Sequence, residues 1–196
     1  MRTVAVIGST SFSGSDLCDL LLEDPDRRVI GISRQPEKSA LFLPYLRWGR
    51  ERFRFCQCDL NHDLDALFRV LDEEQPEGIV NFAAQSEVGP SWATPWEWYE
   101  TNVGSLSRLT HYLKDQGWLK RYVHISSPEV YGTCVGTVTE DAPMSPSTPY
   151  AASKAAADNH LGTLLRHCDF PLVSIRATNV YGAHQQLHKI IPRTAI

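Results

Sequence analysis

Tyr150 and Lys154 stand four residues apart in "PYAASK", and Ser127 and Glu129 flank a proline in "SSPEVYG", directly after the strand-like run "KRYVHI". On a helix, residues at i and i+4 share a face, so an ammonium at 154 would lie near the phenol at 150 and favour its ionised form. A phenol left at its ordinary pKa of about 10 is a poor base at neutral pH. A serine at a strand's carboxyl end can hydrogen-bond a hydroxyl that is being oxidised. A carboxylate two residues further on has no part in simple hydride transfer. It gains one when the carbon beside an acidic C–H becomes a ketone, because a carboxylate can then remove that proton. Each group also has an ordinary alternative: a surface Tyr–Lys pair, a strand-capping serine, a surface glutamate.

Chemistry of this kind needs a scaffold that brings strand ends and helix starts together. Apolar, β-branched runs recur at 3–7, 28–32, 52–58, 78–84, 121–126 and 171–177, with helical stretches between them. Continuous rather than alternating runs suit strands covered on both faces. Strand, helix, strand in repetition predicts an α/β fold: a Rossmann-like, doubly wound parallel sheet with helices on both faces. Long loops at 33–51 and 132–147 lie past strand ends, where such sheets bind ligands. The first crossover, "VIGSTSFSGSDL", carries Gly8 and Gly14 around a strand-to-helix turn whose backbone N–H groups could hold a pyrophosphate, with Ser11 in place of the middle glycine of the fingerprint. The second strand closes on "GISRQP" without the acid that bonds a ribose 2′-hydroxyl in NAD-selective turns, and Ser33 and Arg34 suit a 2′-phosphate.

The chain has 196 residues and a formal net charge of -4 with no basic cluster, which argues against a nucleic-acid partner. No stretch approaches the roughly 20 apolar residues of a membrane span, and Met1 leads straight into a strand, so a cytoplasmic protein is expected. Five scattered cysteines suit a reducing compartment. Cys56 and Cys58, expected on opposite faces of a strand, and His184 and His188, expected at a polar helix start, are not read as metal ligands. No metal site is expected.

The motifs together resemble the extended short-chain dehydrogenase/reductase superfamily, and within it the nucleotide-sugar 4,6-dehydratases of the GDP-mannose and dTDP-glucose type. "GSTSFSG", "CDLNH", "NFAAQSEVGPSW", "TNVGS", "SSPEVYG", "PSTPYAASK" and "RATNVYGAHQQLHKIIPR" stand in the family's order and spacing. The resemblance implies a dinucleotide-binding Rossmann domain at 1–182 and the start of a truncated substrate-binding region at 183–196. It implies Ser127, Glu129, Tyr150 and Lys154 as catalytic residues. Gly8, Ser11, Phe12, Gly14, Arg34, Asp59, Leu60, Ala83, Ala84, Asn102, Tyr150 and Lys154 would bind the cofactor, NADP or alternatively NAD. Ser86, Asn179 and Lys189 would meet a nucleoside-diphosphate sugar. Lys154 would reach the nicotinamide ribose, and a homodimer would pack through helices near 100–116 and 150–167. Pro128 stands where the glucose-type enzymes usually have an aspartate; the mannose type also lacks that aspartate and keeps only the glutamate, so the resemblance leans toward it. A nucleotide-sugar decarboxylase, a 4-epimerase and a non-catalytic NADP(H)-binding protein are the competing readings, and the 196 residues alone are expected to bind dinucleotide without turnover.

Overall fold

In the computed structural model, which describes residues 1–196, the six predicted runs form one parallel sheet. The strands are β1 (Arg2–Ile7), β2 (Arg27–Ser33), β3 (Phe53–Gln57), β4 (Gly78–Asn81), β5 (Arg121–Ile125) and β6 (Leu172–Ile175). Their order is β3-β2-β1-β4-β5-β6, so the direction of winding reverses between β1 and β4. That reversal opens a crevice at the strands' carboxyl ends. Connecting helices are α1 (Phe12–Leu22), α2 (Leu64–Glu74), α3 (Pro95–Tyr99), α4 (Leu106–Leu113), α5 (Pro149–His167) and α6 (Ile190–Ala195).

Alternation along the strands sends side chains to two cores. Ala5, Ile7, Ile30, Ile32, Ile79 and Tyr122 pack with Leu67 and Leu71 of α2, Leu106 and Leu109 of α4, and Ala157 and Leu161 of α5. Val6, Val29 and Phe53 face the other way, onto Cys18 and Leu22 of α1 and onto Leu43 and Tyr45 of the 33–51 connection. That second face is covered over β1 to β3 only. Val173 and Ile175 of β6, on the same side of the sheet, are exposed. Cys56 and Cys58 both turn toward the larger core, because alternate residues of a strand share a face; the expectation of opposite faces miscounts the alternation and is corrected. His184 and His188 lie in a turn before α6 rather than on a helix, and His184 pairs with Asp16 at 3.3 Å.

Burial of polar groups at the β4 end sets the crevice wall. Asn81 donates from Nδ2 to the Tyr122 hydroxyl at 3.0 Å, and its Oδ1 accepts from the Ala83 N–H at 2.9 Å. The fully buried tyrosine thereby fixes the first residues after the strand. Tyr122→Phe leaves the Asn81 amide without its partner, and urea unfolding should show a loss of roughly 1–3 kcal/mol. A loss below about 0.5 kcal/mol would show that water or a shifted neighbour satisfies the amide.

Candidate active site

The β1–α1 turn is built by close approach. Gly8 has φ +86°, and a Cβ there would stand 3.0 Å from the Ala83 nitrogen across the crevice. A Cβ on Gly14 would come within 2.2 Å of the Gly8 carbonyl oxygen. Between them Ser11 caps α1: its hydroxyl donates to the Gly8 carbonyl at 2.7 Å and accepts from the Gly14 N–H at 3.1 Å. The serine side chain is thus folded into the turn, and the first-turn N–H groups of Phe12 and Ser13 are left for a ligand.

From this turn a groove of about 520 Å³ runs along the crevice. Gly8, Ser11, Arg34, Asp59, Leu60, Ala83, Ala84 and Ser86 line it, as do Lys38, Glu87, Trp98 and Gln186. Lys38 and Gln186 carry no signal in the sequence, since each sits in a loop whose return to the groove depends on tertiary packing. Arg34 and Lys38 are exposed cations at one end. Ser33 lines the groove beside them, and its buried hydroxyl accepts from the Thr10 N–H at 3.0 Å, which braces the glycine turn. The groove's shape, its glycine cradle and its free helix-start donors fit an elongated dinucleotide. Asn102 stands behind the wall: its amide holds the Gln85 N–H at 2.8 Å, the Gln85 carbonyl at 3.0 Å and the Ser153 hydroxyl at 2.9 Å. It lies in a π-helical stretch, Glu100–Ser105, so a helix distortion is present at that position. Asn179 and Lys189 are exposed on the segment after β6 and line no part of the groove.

Ser127, Glu129, Tyr150 and Lys154 converge where β5 ends. Ser127 caps a 3₁₀ turn, Pro128–Tyr131, accepting from the Glu129 N–H at 3.2 Å. Proline suits the first position of such a turn, where no N–H is needed. Gly132 ends it with φ +69°, a Cβ there lying 2.0 Å from the Ser145 oxygen, so the 132–147 loop closes tightly against the turn. Thr148 caps α5 through the Ala151 N–H at 3.1 Å, which sets Tyr150 on the first turn.

Burial raises the pKa of Tyr150 above its ordinary 10.0; Ser127, by hydrogen bonding, pulls it down, and the Glu129 charge adds to the rise. The expected help from Lys154 is absent. Its ammonium is drawn away, donating to the Ile125 carbonyl at 2.7 Å beside His124 Nε2 at 3.4 Å. Desolvation of the lysine brings its own pKa down to about 8. Sharing a helix face therefore did not suffice for ammonium–phenol contact, because a buried ammonium takes the nearest strong acceptor. Reasoning from sequence missed His124, Asp158, Tyr131 and Arg176 around this lysine. Asp158, one further helical turn along from Tyr150 and Lys154, was the signal available.

Comparison with known proteins places the chain by sequence and by fold. Residues 4–196 match the NAD dependent epimerase/dehydratase family. The dTDP-D-glucose 4,6-dehydratase of Mus musculus is 30% identical over 196 residues, 98% of this chain and 54% of that protein. The dTDP-glucose 4,6-dehydratase of Xanthomonas campestris pv. campestris (strain B100) is 37% identical over 206 residues, 98% of this chain and 57% of that protein. Among solved structures, UDP-glucuronic acid 4-epimerase from Bacillus cereus, in complex with UDP-glucuronic acid and NAD, superposes with a TM-score of 0.85 at 26% identity, covering 98% of this chain and 61% of that one. A double mutant of a dTDP-glucose 4,6-dehydratase from Streptomyces venezuelae, with NAD bound, gives 0.84 at 32% identity, covering 98% and 60%. The chain thus spans little more than half the length of the curated relatives it matches. It belongs to the NAD dependent epimerase/dehydratase family.

Proposed function

We propose that the chain is the dinucleotide-binding part of a nucleoside-diphosphate-sugar 4,6-dehydratase. The observation that carries this reading is Glu129, held by the Ser127-capped turn near enough to Tyr150 for its charge to act on the phenol. A 4-epimerase uses a serine and a tyrosine at this place and has no work for the carboxylate. When bound, an oxidised nicotinamide supplies a hydride acceptor, later a donor, and a positive charge. Ser127 hydrogen-bonds the sugar's C4 hydroxyl, Tyr150 takes its proton, and Lys154 holds the nicotinamide ribose. With C4 a ketone, Glu129 removes the C5 proton and the C6 hydroxyl departs as water. Pro128 offers no acid, so the Glu129 carboxyl passes the proton it has just taken to the departing oxygen. Ser86, Asn179 and Lys189 meet the nucleotide sugar. The dehydratases among the relatives support this reading, and the 4-epimerases of the same fold are its main rival, with a decarboxylase as the third member of the set.

The preferred cofactor in this reading is NADP(H). Support comes from Arg34 and Lys38, two cations in the groove lining past the end of β2 that would meet a 2′-phosphate, with Asp59 left to the adenine side. The reading further takes the protein as a cytoplasmic homodimer joined through α4 and α5. Five unpaired cysteines support the compartment, and Leu165, 49% exposed on α5, supports the interface. No helix is long and apolar enough to cross a membrane.

Two measurements test these assignments. In a protein carrying this chain at full family length, Tyr150→Phe should abolish reduction of the cofactor by a nucleoside-diphosphate hexose. Glu129→Gln should still reduce it while dehydration falls by about 10²–10⁴-fold, the usual cost of a lost general base. Full dehydratase activity in Glu129→Gln would remove the role given to that residue. Calorimetric titration of the 196-residue chain should show tighter binding of NADP than of NAD, with Arg34→Ala losing about tenfold for NADP alone. NAD binding as tightly as NADP would contradict the cofactor assignment.

A further inference from the structure

Behind Tyr150 and Lys154 lies a set of buried polar groups that the reaction above leaves unused. Asp158 follows Lys154 by one turn on α5, and its side chain is only 3% exposed. One carboxylate oxygen accepts from Arg176 Nε at 2.9 Å. The other, Oδ1, is buried without a hydrogen-bond partner and lies 3.9 Å from His124 Nε2. His124 in turn stands 3.4 Å from the Lys154 ammonium. A buried carboxylate oxygen without a partner is costly unless a nearby positive charge uses it. The groups joined around this space are Lys154 from α5, His124 from β5, Arg176 from just past β6, and Tyr131 from the 3₁₀ turn. Arg176 also donates to the Tyr131 hydroxyl, and to the Glu140 carbonyl at 3.0 Å, so the carboxylate's clamp is itself held from two sides.

We propose that Asp158 is a positioning residue for Lys154: its buried carboxylate, clamped on one oxygen by Arg176, supplies the negative charge that keeps the Lys154 side chain an ammonium aimed at the Ile125 carbonyl. Burial by itself drives this lysine toward the neutral amine, and the Asp158 charge is the force that opposes it. His124 cannot take that part. Burial first, and the lysine's charge second, hold its pKa well below the ordinary 6.5, so it stays a neutral neighbour. A neutral Lys154 would lose a donor proton and the positive charge that a ribose-holding lysine is asked to supply.

The inference takes from the function proposed above only the importance of Lys154, and its test needs neither ligand nor turnover. Lysine side chains of the 196-residue chain are labelled with ¹⁵N and ¹³C and titrated by NMR, with Lys154 assigned through Lys154→Arg. The wild-type midpoint is expected at about 8. Asp158→Asn should lower it by about one pH unit or more, roughly a tenfold rise in the ratio of neutral to charged lysine, and Asp158→Glu should restore most of the loss. Where Asp158→Asn fails to fold because Arg176 has lost its partner, the double change Asp158→Asn with Arg176→Met removes both charges and should show a fall in the same direction. A folded Asp158→Asn chain whose Lys154 midpoint stays within about 0.2 pH unit of wild type overturns the proposal, as does a wild-type midpoint below about 7. Failure of the chain to bind dinucleotide would count against the proposed function and leave the Lys154 titration, and its bearing on Asp158, unchanged.

Discussion

A lysine taken out of water must find acceptors for its protons and an opposite charge within reach, and at Lys154 that requirement joins four elements of the chain. Its ammonium ties α5 to the end of β5 through the Ile125 carbonyl. Asp158 brings in the end of β6 through Arg176, and Arg176 reaches the turn that carries Glu129 by way of Tyr131. The residues assigned to chemistry therefore sit on a frame whose members are bonded to one another behind the site. Tyr150 is raised above its ordinary pKa by burial first and by the Glu129 charge besides. The Lys154 ammonium does not offset that rise, because it is bonded to the Ile125 carbonyl.

A second constraint is steric and lies at the switch between β1 and β4. The chain passes so closely at Gly8 and Gly14 that no side chain fits on the inner side of the turn, and Ser11 adds its hydroxyl only by folding it inward as a helix cap. The cost of replacing a glycine is thereby turned into a capped helix start, a feature typically worth about 1 kcal/mol. The groove and the Lys154 frame are consequences of one topology, since both stand where parallel strands deliver their carboxyl ends.

Six strands, their parallel arrangement and the glycine turn were legible from continuous apolar runs, because both faces of β1, β2 and β3 are covered and the apolar pattern is strong along the others. The helix bearing Tyr150 and Lys154 was equally plain from its Thr–Pro start and its spacing. Less legible was anything set by the direction of a long side chain. Periodicity places Lys154 on the Tyr150 face and says nothing of which acceptor the ammonium chooses. Ser33 suited a phosphate because it ends a strand, and only the tertiary fold shows that its hydroxyl also accepts from the Thr10 N–H and braces the glycine turn. Lys38 comes to the groove through a loop anchored by Glu37, which holds both Tyr45 and Arg50, a pairing no local pattern announces. Asp158 follows Lys154 at a four-residue interval, a spacing that an acidic residue on a solvated helix face would show equally well.

The central claim is that Glu129 makes this site one for elimination rather than for oxidation or inversion alone. The most direct measurement is turnover of nucleoside-diphosphate hexoses, dTDP-glucose, UDP-glucose and GDP-mannose in turn, in deuterated water by a protein carrying this chain at full family length. Elimination assisted by Glu129 predicts a 6-deoxy-4-keto sugar with solvent deuterium at C5. A C4 epimer formed without loss of water, or a 4-keto pentose formed with release of carbon dioxide from a hexuronic acid substrate, would contradict it.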